Sequence, residues 1–60
     1  MESKKLLSKA LVALDALEDL EDYSVTHDNV YLELITEAIL NVKMIKINTE
    51  ADMLLEEGNL

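Results

Sequence analysis

Apolar residues between Ser3 and Asp22 recur at alternating spacings of four and three, the period of one side of an α-helix. The members of this seam are Leu6, Ala10, Ala13, Leu17 and Leu20, and it is widened on one side by Leu7, Leu11 and Leu14. The opposite side is mostly charged. The pattern predicts an amphipathic helix over residues 3–22, with an apolar arc broad enough for a core of several helices.

The same spacing returns further along the chain. Its members are Tyr31, Ile35, Ala38, Val42 and Ile45, flanked by Leu34 and Ile39. Between the two patterns, residues 23–28 include Ser, Thr and Asp, which favour turns and helix caps. We expect a turn at 23–28, with Thr26 or Asp28 as the cap, and a second helix over 29–47. A connection this short between long helices predicts an antiparallel hairpin.

The C-terminal residues 49–57 allow two interpretations. Thr49 followed by acidic residues is typical of a helix start and Gly58 of a helix stop, which favours a short separate helical tail. Alternatively, the second helix continues, because no glycine or proline lies between residues 29 and 57. We favour the separate tail, folded back over the N-terminal lysines, within a single all-α domain of residues 1–60.

The second helix also has apolar residues on its back, unlike the first: Leu32, Leu40, Met44 and Ile47. One hairpin buries one stripe per helix, so this second stripe either packs against another surface or stays exposed. A chain of 60 residues without cysteine gains only about 3–5 kcal/mol from its own core. We therefore expect a homodimeric four-helix bundle. The four back residues are candidate partner-binding residues, for a second copy or for a different protein.

Acidic residues outnumber basic ones by 13 to 5, which gives a net charge of −8. Eight carboxylates and no basic residue lie between Ala10 and Val42. A hairpin is expected to gather both lysine groups, at 4–9 and 43–46, at its open end, opposite the acidic turn. Repulsion between acidic turns then favours an antiparallel dimer. The candidate acidic surface comprises Asp15, Glu18, Asp19, Asp22, Glu33 and Glu37.

Catalytic and metal chemistry have few residues to use. His27 is the only histidine and there is no cysteine, so neither a catalytic triad nor an ordinary zinc site is expected. Pairs of carboxylates one turn apart, such as Asp15 with Asp19, are more often a solvated helix surface than a metal site. We expect no enzyme activity, no metal and no cofactor; a metal-binding or enzymatic bundle is the third alternative.

Neither membranes nor nucleic acids are expected as direct partners. No apolar run reaches the ~18 residues of a spanning helix, and affinity for nucleic acid comes mainly from basic residues. A cytoplasmic location follows as an expectation. In length and hairpin pattern the chain resembles the Rop-type plasmid regulators, dimers of helical hairpins that bind RNA. The resemblance is one of architecture and length, without shared motif residues.

These observations predict a small non-enzymatic regulator or adaptor that acts by protein–protein interaction as a homodimeric helical bundle. The alternative is an acidic inhibitor of phage or plasmid type. Its carboxylate rows would imitate nucleic-acid phosphates and block a nucleic-acid-binding protein.

Overall fold

The computed structural model describes residues 2–58, which form two helices packed as an antiparallel hairpin. Helix α1 spans Glu2–His27 and helix α2 spans Leu32–Gly58. No strand occurs within these described residues. The predicted all-α helical hairpin is confirmed. Both helices are longer than expected, and the differences lie at the turn and at the tail.

The turn lies at residues 28–31, and its predicted position at 23–28 is wrong. Two hydroxyl groups that were expected to break α1 bond to backbone carbonyls instead. The hydroxyl of Thr26 lies 3.2 Å from the carbonyl oxygen of Asp22 and 3.1 Å from that of Tyr23. Ser24 donates its hydroxyl to the carbonyl oxygen of Asp28. Ser and Thr can satisfy themselves in this way inside a helix, so their presence does not force a turn.

Asp28 provides the polar side chain that organises the turn. Its carboxylate accepts a hydrogen bond from the backbone N–H of Val30 at 3.1 Å, while its own N–H donates to the carbonyl of Ser24 at 3.0 Å. The first bond is the local side-chain-to-backbone geometry by which Asp commonly starts a turn. Neither candidate for the cap bonds to α2, which begins at Leu32: Asp28 accepts from Val30 within the turn, and Thr26 lies within α1.

The separate C-terminal helix is also a wrong prediction, because α2 runs without a break through Thr49 to Gly58. Thr49 is 4% exposed and its hydroxyl donates to the carbonyl oxygen of Ile45 at 2.6 Å. A threonine that bonds back to the preceding turn has no need to act as a helix cap. The alternative of one continuous helix is the one observed. Its last turns lie beside the start of α1, where the hydroxyl of Ser3 donates to Glu56 at 2.6 Å.

The contact between α1 and α2 follows a seven-residue repeat. In an isolated hairpin only the other helix can cover a side chain, so burial identifies the seam. The buried and half-buried positions of α1 are Ser3, Leu7, Ala10, Leu14, Leu17, Glu21 and Ser24. Those of α2 are Leu32, Ile35, Ala38, Ile39, Val42, Lys46, Thr49 and Met53. Apart from Ala38, these positions alternate by four and three, as in helices that pack at a small crossing angle.

This seam is rotated from the predicted one. Ala10 and Leu17 of the five predicted α1 residues are covered, whereas Leu6, Ala13 and Leu20 are exposed. Of the residues predicted for the second helix, Tyr31, which lies in the turn, and Ile45 are exposed as well. The physical reason is that the apolar arc of each helix is wider than one helix–helix contact. The hairpin uses one edge of the arc and leaves the other edge open.

The resulting core is thin. Among the described residues only Ala10 and Ile39 are buried apolar side chains, and Ser24 and Thr49 are the buried polar ones. The principal extents of the molecule are 50, 15 and 12 Å, so it is a single layer two helices wide. No buried side-chain nitrogen or oxygen of residues 2–58 lacks a hydrogen-bond partner. The buried polar side chains of the described hairpin are therefore all hydrogen-bonded, but its apolar interior is small.

Candidate interaction surfaces

One broad side of the hairpin is apolar on both helices. We call it the apolar face, and it comprises Leu6, Ala13 and Leu20 of α1 with Tyr31 of the turn and Ala38 and Ile45 of α2. Each of these residues immediately precedes a seam residue, and within each helix they are seven apart. Because the helices run in opposite directions, this shared position places both rows on the same side of the hairpin. Leu6 is 51% exposed and Leu20 is 48% exposed, and Ala38 alone of the six residues is half-buried.

The opposite broad side has a different composition. It is formed by the residues that immediately follow every second seam position in each helix, and by Glu57, which continues the α2 row seven residues after Glu50. They are Lys4, Leu11, Glu18 and Val25 in α1 and Thr36, Lys43, Glu50 and Glu57 in α2. Five of these eight residues are charged, whereas the six residues of the apolar face carry no charge and only Asp52, seven residues beyond Ile45, continues the α2 row with a carboxylate. We call this side the polar face. The two broad sides of the hairpin therefore differ in composition.

A second apolar surface lies on α2 alone. We call it the back stripe, and its members are Leu40, Met44, Ile47, Ala51 and Leu54, spaced four, three, four and three. All five are exposed. At 100° per residue the centre of this stripe is roughly 150° from the apolar face and roughly 130° from the seam. The back stripe is thus a separate surface that neither of the other two reaches.

Three of the four predicted partner-binding residues share this surface. Leu40, Met44 and Ile47 lie in the back stripe, but Leu32 is half-buried in the seam register and stands apart from them. Ala51 and Leu54 were missed because residues 49–57 were assigned to a separate helix. The signal that would have found them is the same four–three spacing, which continues without interruption past Thr49.

All six residues of the predicted acidic surface are exposed. In α1, Asp15, Glu18, Asp19 and Asp22 face outward in the half of the hairpin next to the turn. In α2, Glu33 and Glu37 fall on the line of the back stripe, ahead of Leu40. Within residues 2–58 the ion pair that forms lies elsewhere, between Lys46 and Glu50 at 3.9 Å. The acidic surface therefore keeps its negative charge uncompensated by lysine.

The open end of the hairpin is not the basic end that the sequence pattern suggested. Because α2 is continuous, its last acidic residues lie beside the N-terminal lysines. Lys4, Met53, Glu56 and Glu57 line one shallow depression there. Lys43 and Lys46 lie near the middle of α2, away from this end. The N-terminal lysines thus meet the tail carboxylates, and the turn half holds the larger excess of negative charge.

The titratable side chains form no assembled catalytic or metal-binding cluster within the part of the chain that the structure describes. No group of three or more His, Asp or Glu residues is placed to hold a metal ion there. His27 stacks on Tyr23 with ring centroids 4.0 Å apart and an angle of 6° between the planes. The hydroxyl of Thr26 lies 2.8 Å from Nδ1 of the imidazole, and these contacts are exposed and local to the last turn of α1.

Neither described helix combines the length and apolar character that crossing a membrane requires. Comparison with protein-family models, with curated proteins and with solved structures finds no match for this chain.

Proposed function

We propose that this chain acts as a non-enzymatic adaptor or regulator that binds another protein, and that its working form is a homodimeric four-helix bundle. The observation that supports the dimer is the contrast between the two broad sides of the hairpin. An apolar side formed by both helices, opposite a charged side, is the pattern of a half-bundle that pairs with another half.

The thin core supports the same proposal. Small domains bury too little apolar surface to be very stable alone, and oligomerisation is one of the ordinary remedies. A second hairpin placed on the apolar face would cover Leu6, Leu20 and Ile45 at once. Each of these side chains contributes about 1.5–3 kcal/mol when it passes from full exposure to full burial. The half-exposed side chains here would contribute part of that amount.

The charge distribution favours an antiparallel arrangement of the two hairpins. Each turn half carries the eight carboxylates that lie between Ala10 and Val42 without a basic residue. Packing two turn halves side by side would bring both sets together. In the antiparallel arrangement each acidic half lies beside the other copy's open end, where Lys4, Lys5 and Lys9 offset part of the charge of the tail carboxylates. Such long-range repulsion can choose between packings that are otherwise similar.

The dimer is tested by sedimentation equilibrium together with thermal melts over a hundredfold range of concentration. We expect a dimer mass and a melting temperature that rises with concentration. Leu20→Asp on the apolar face should dissociate the dimer. Val12→Asp is the matched control, because Val12 is 70% exposed on the outer side of the same helix. A cooperative melt that is independent of concentration, with a monomer mass, would refute the homodimer.

The exposed acidic surface favours a second candidate function, an inhibitor that occupies the basic cleft of a nucleic-acid-binding protein. Six carboxylates without a lysine partner in the described structure supply the negative charge that such mimicry needs. Binding of this kind acts through long-range attraction, which is screened beyond about 8 Å at physiological salt. Inhibition of nucleic-acid binding that disappears between low and moderate salt, and that weakens in Asp19→Asn, would favour this candidate over the adaptor.

A further inference from the structure

The back stripe is a continuous apolar line along α2. From Leu40 to Leu54 it extends about 21 Å at a rise of about 1.5 Å per residue. The side chains are well exposed: Met44 is 61% and Leu54 is 69% accessible. Exposed apolar lines of this length are unusual on small proteins and mark surfaces that contact another molecule.

The proposed dimer would leave this line uncovered. The apolar face is roughly 150° away around α2, so a hairpin that packs there lies on the opposite side of the helix. The inference below rests on the proposed adaptor function and concerns a surface that the dimer does not use. It can therefore fail while the dimer stands, and the reverse also holds.

The line has an acidic end. Going back from Leu40 by three and then by four residues leads to Glu37 and Glu33, both exposed. The outward carboxylates of α1 lie in the same half of the hairpin, across the polar face. Lys43 and Glu50 border the line further along, on the side of the polar face. The surface thus combines an apolar stripe with a concentration of negative charge at the end nearest the turn.

We infer that the back stripe docks one amphipathic helix of a partner protein, whose lysine or arginine residues are gathered at the end that lies against Glu33 and Glu37. Two helices that pack at a small crossing angle contact each other through residues spaced alternately by four and three. Amphipathic helices are commonly recognised through such an apolar line, and charge complementarity fixes their orientation.

A second copy of this chain fits the stripe less well. The line itself carries carboxylates and no basic residue. Pairing two stripes in parallel would place Glu33 and Glu37 against the same residues of the other copy. Pairing them antiparallel would place these carboxylates against Leu54 and Ala51. A membrane surface also fits poorly, because anionic lipid headgroups repel the acidic end of the line.

Synthetic peptides of roughly 18 residues, about 27 Å of helix, test this inference. They carry leucines at four–three spacing and differ in the charges at one end, lysine in one peptide and glutamate in the other. Fluorescence anisotropy measures their binding to the full chain. We expect the lysine peptide to bind at least tenfold more tightly than the glutamate peptide. The double variant Met44→Gln with Leu54→Gln should lose tenfold or more in affinity.

The acidic end has its own measurement. The double variant Glu33→Gln with Glu37→Gln should lower the affinity for the lysine peptide several-fold and reduce the salt dependence of its binding. Val12→Gln is the matched control, a similarly exposed apolar residue on the outer side of α1, and should bind as the unmodified chain does. Amide chemical shifts in the peptide titration should change along residues 40–54 and stay fixed at Leu6 and Leu20.

The same variants separate this inference from the proposed dimer. If Met44→Gln with Leu54→Gln converts a dimer into a monomer, the stripe belongs to the dimer interface and the docking inference is overturned. If the unmodified chain is monomeric but binds the lysine peptide through residues 40–54, the dimer fails and the docking surface stands. Equal binding of the two peptides, or binding that ignores the stripe variants, overturns the inference.

Discussion

The two helices of the hairpin use their apolar residues differently. On α1 most apolar side chains fall in one arc, which supplies the seam and the apolar face, and the outer side is mainly charged. On α2 a comparable arc is accompanied by the back stripe on the other side of the helix. The apolar side chains of α1 are thus divided mainly between the seam with α2 and the exposed apolar face. Helix α2 has one apolar surface more than α1, because the back stripe lies outside both its seam and its part of the apolar face.

Three isoleucines of α2 provide a direct comparison of these surfaces. Ile39 lies in the seam and is 6% exposed, Ile45 lies on the apolar face, and Ile47 lies in the back stripe. The same substitution by alanine removes the same atoms at each position. Differences between the three variants therefore report what covers each surface in solution.

Ile39→Ala should have the largest effect. Removing a buried isoleucine side chain costs about 2–4 kcal/mol, through lost apolar burial and the cavity that remains. The measurement is the free energy of unfolding from urea denaturation, followed by circular dichroism. Because the seam is contained within one chain, its local contact does not depend on a partner. A loss below about 1 kcal/mol would contradict the assignment of Ile39 to the core.

Ile45→Ala should have an intermediate effect of about 1–2 kcal/mol if a second hairpin covers the apolar face. The loss should appear in the association equilibrium, so the dissociation constant rises about tenfold while the mutant monomer unfolds as before. Analytical ultracentrifugation measures this constant. An effect below the error of the measurement would place the dimer contact elsewhere.

Asp19→Lys should stabilise the chain by about 0.5 kcal/mol, because it places one positive charge among the carboxylates of the turn half. The gain should shrink as salt is raised, since screening weakens the interactions it depends on. Thermal melts at low and high salt make the comparison. The control is Glu56→Lys at the open end, where the acceptor of the Ser3 hydroxyl is lost and lysines are already near; this variant should not be stabilised. Equal gains at both ends would show that the charge excess is uniform along the hairpin.

Ile47→Ala should have the smallest effect on stability, within about 0.5 kcal/mol, as is usual for exposed positions. Its effect should appear in the binding of the lysine peptide and not in unfolding or in the dimer mass. Urea denaturation beside the peptide titration separates the two. A stability loss as large as that of Ile39→Ala would mean that the back stripe is buried in solution.

The hairpin could be predicted from the sequence because the four–three pattern extends over most of both helices and is interrupted once. The turn was misplaced since Ser24 and Thr26 have hydroxyls that can either cap a helix or bond back inside one, and the sequence does not distinguish these uses. Thr49 produced the same ambiguity at the tail. The hydroxyls of Thr26 and Thr49 bond to carbonyls of their own helices, whereas Ser24 bonds forward to the carbonyl of Asp28 in the turn.

The surfaces were harder to predict than the helices. The apolar arc of α1 includes both Leu6 and Leu7, and its period does not reveal which of them faces α2. That choice depends on how the arcs of two helices meet, which is a property of the pair. The members of the back stripe were predicted up to Ile47 and lost beyond it, because an assumed helix break interrupts any spacing argument. Leu32 was assigned to the back, whereas the register of the seam includes it.

The loop affects whether α1 packs against α2 of the same chain or against α2 of another copy. None of residues 28–31 is a glycine or a proline, and no residue of the described chain has a positive φ. Nothing in the backbone of the loop therefore forbids α1 and α2 from joining into one long rod. Two chains opened in this way can form a domain-swapped dimer, in which α1 of each chain packs against α2 of the other and all contacts of the seam are restored. The rate of this helix exchange is limited by the rate at which the hairpin opens. When two isotopically distinct preparations are mixed at room temperature, mixed dimers should form only at that rate.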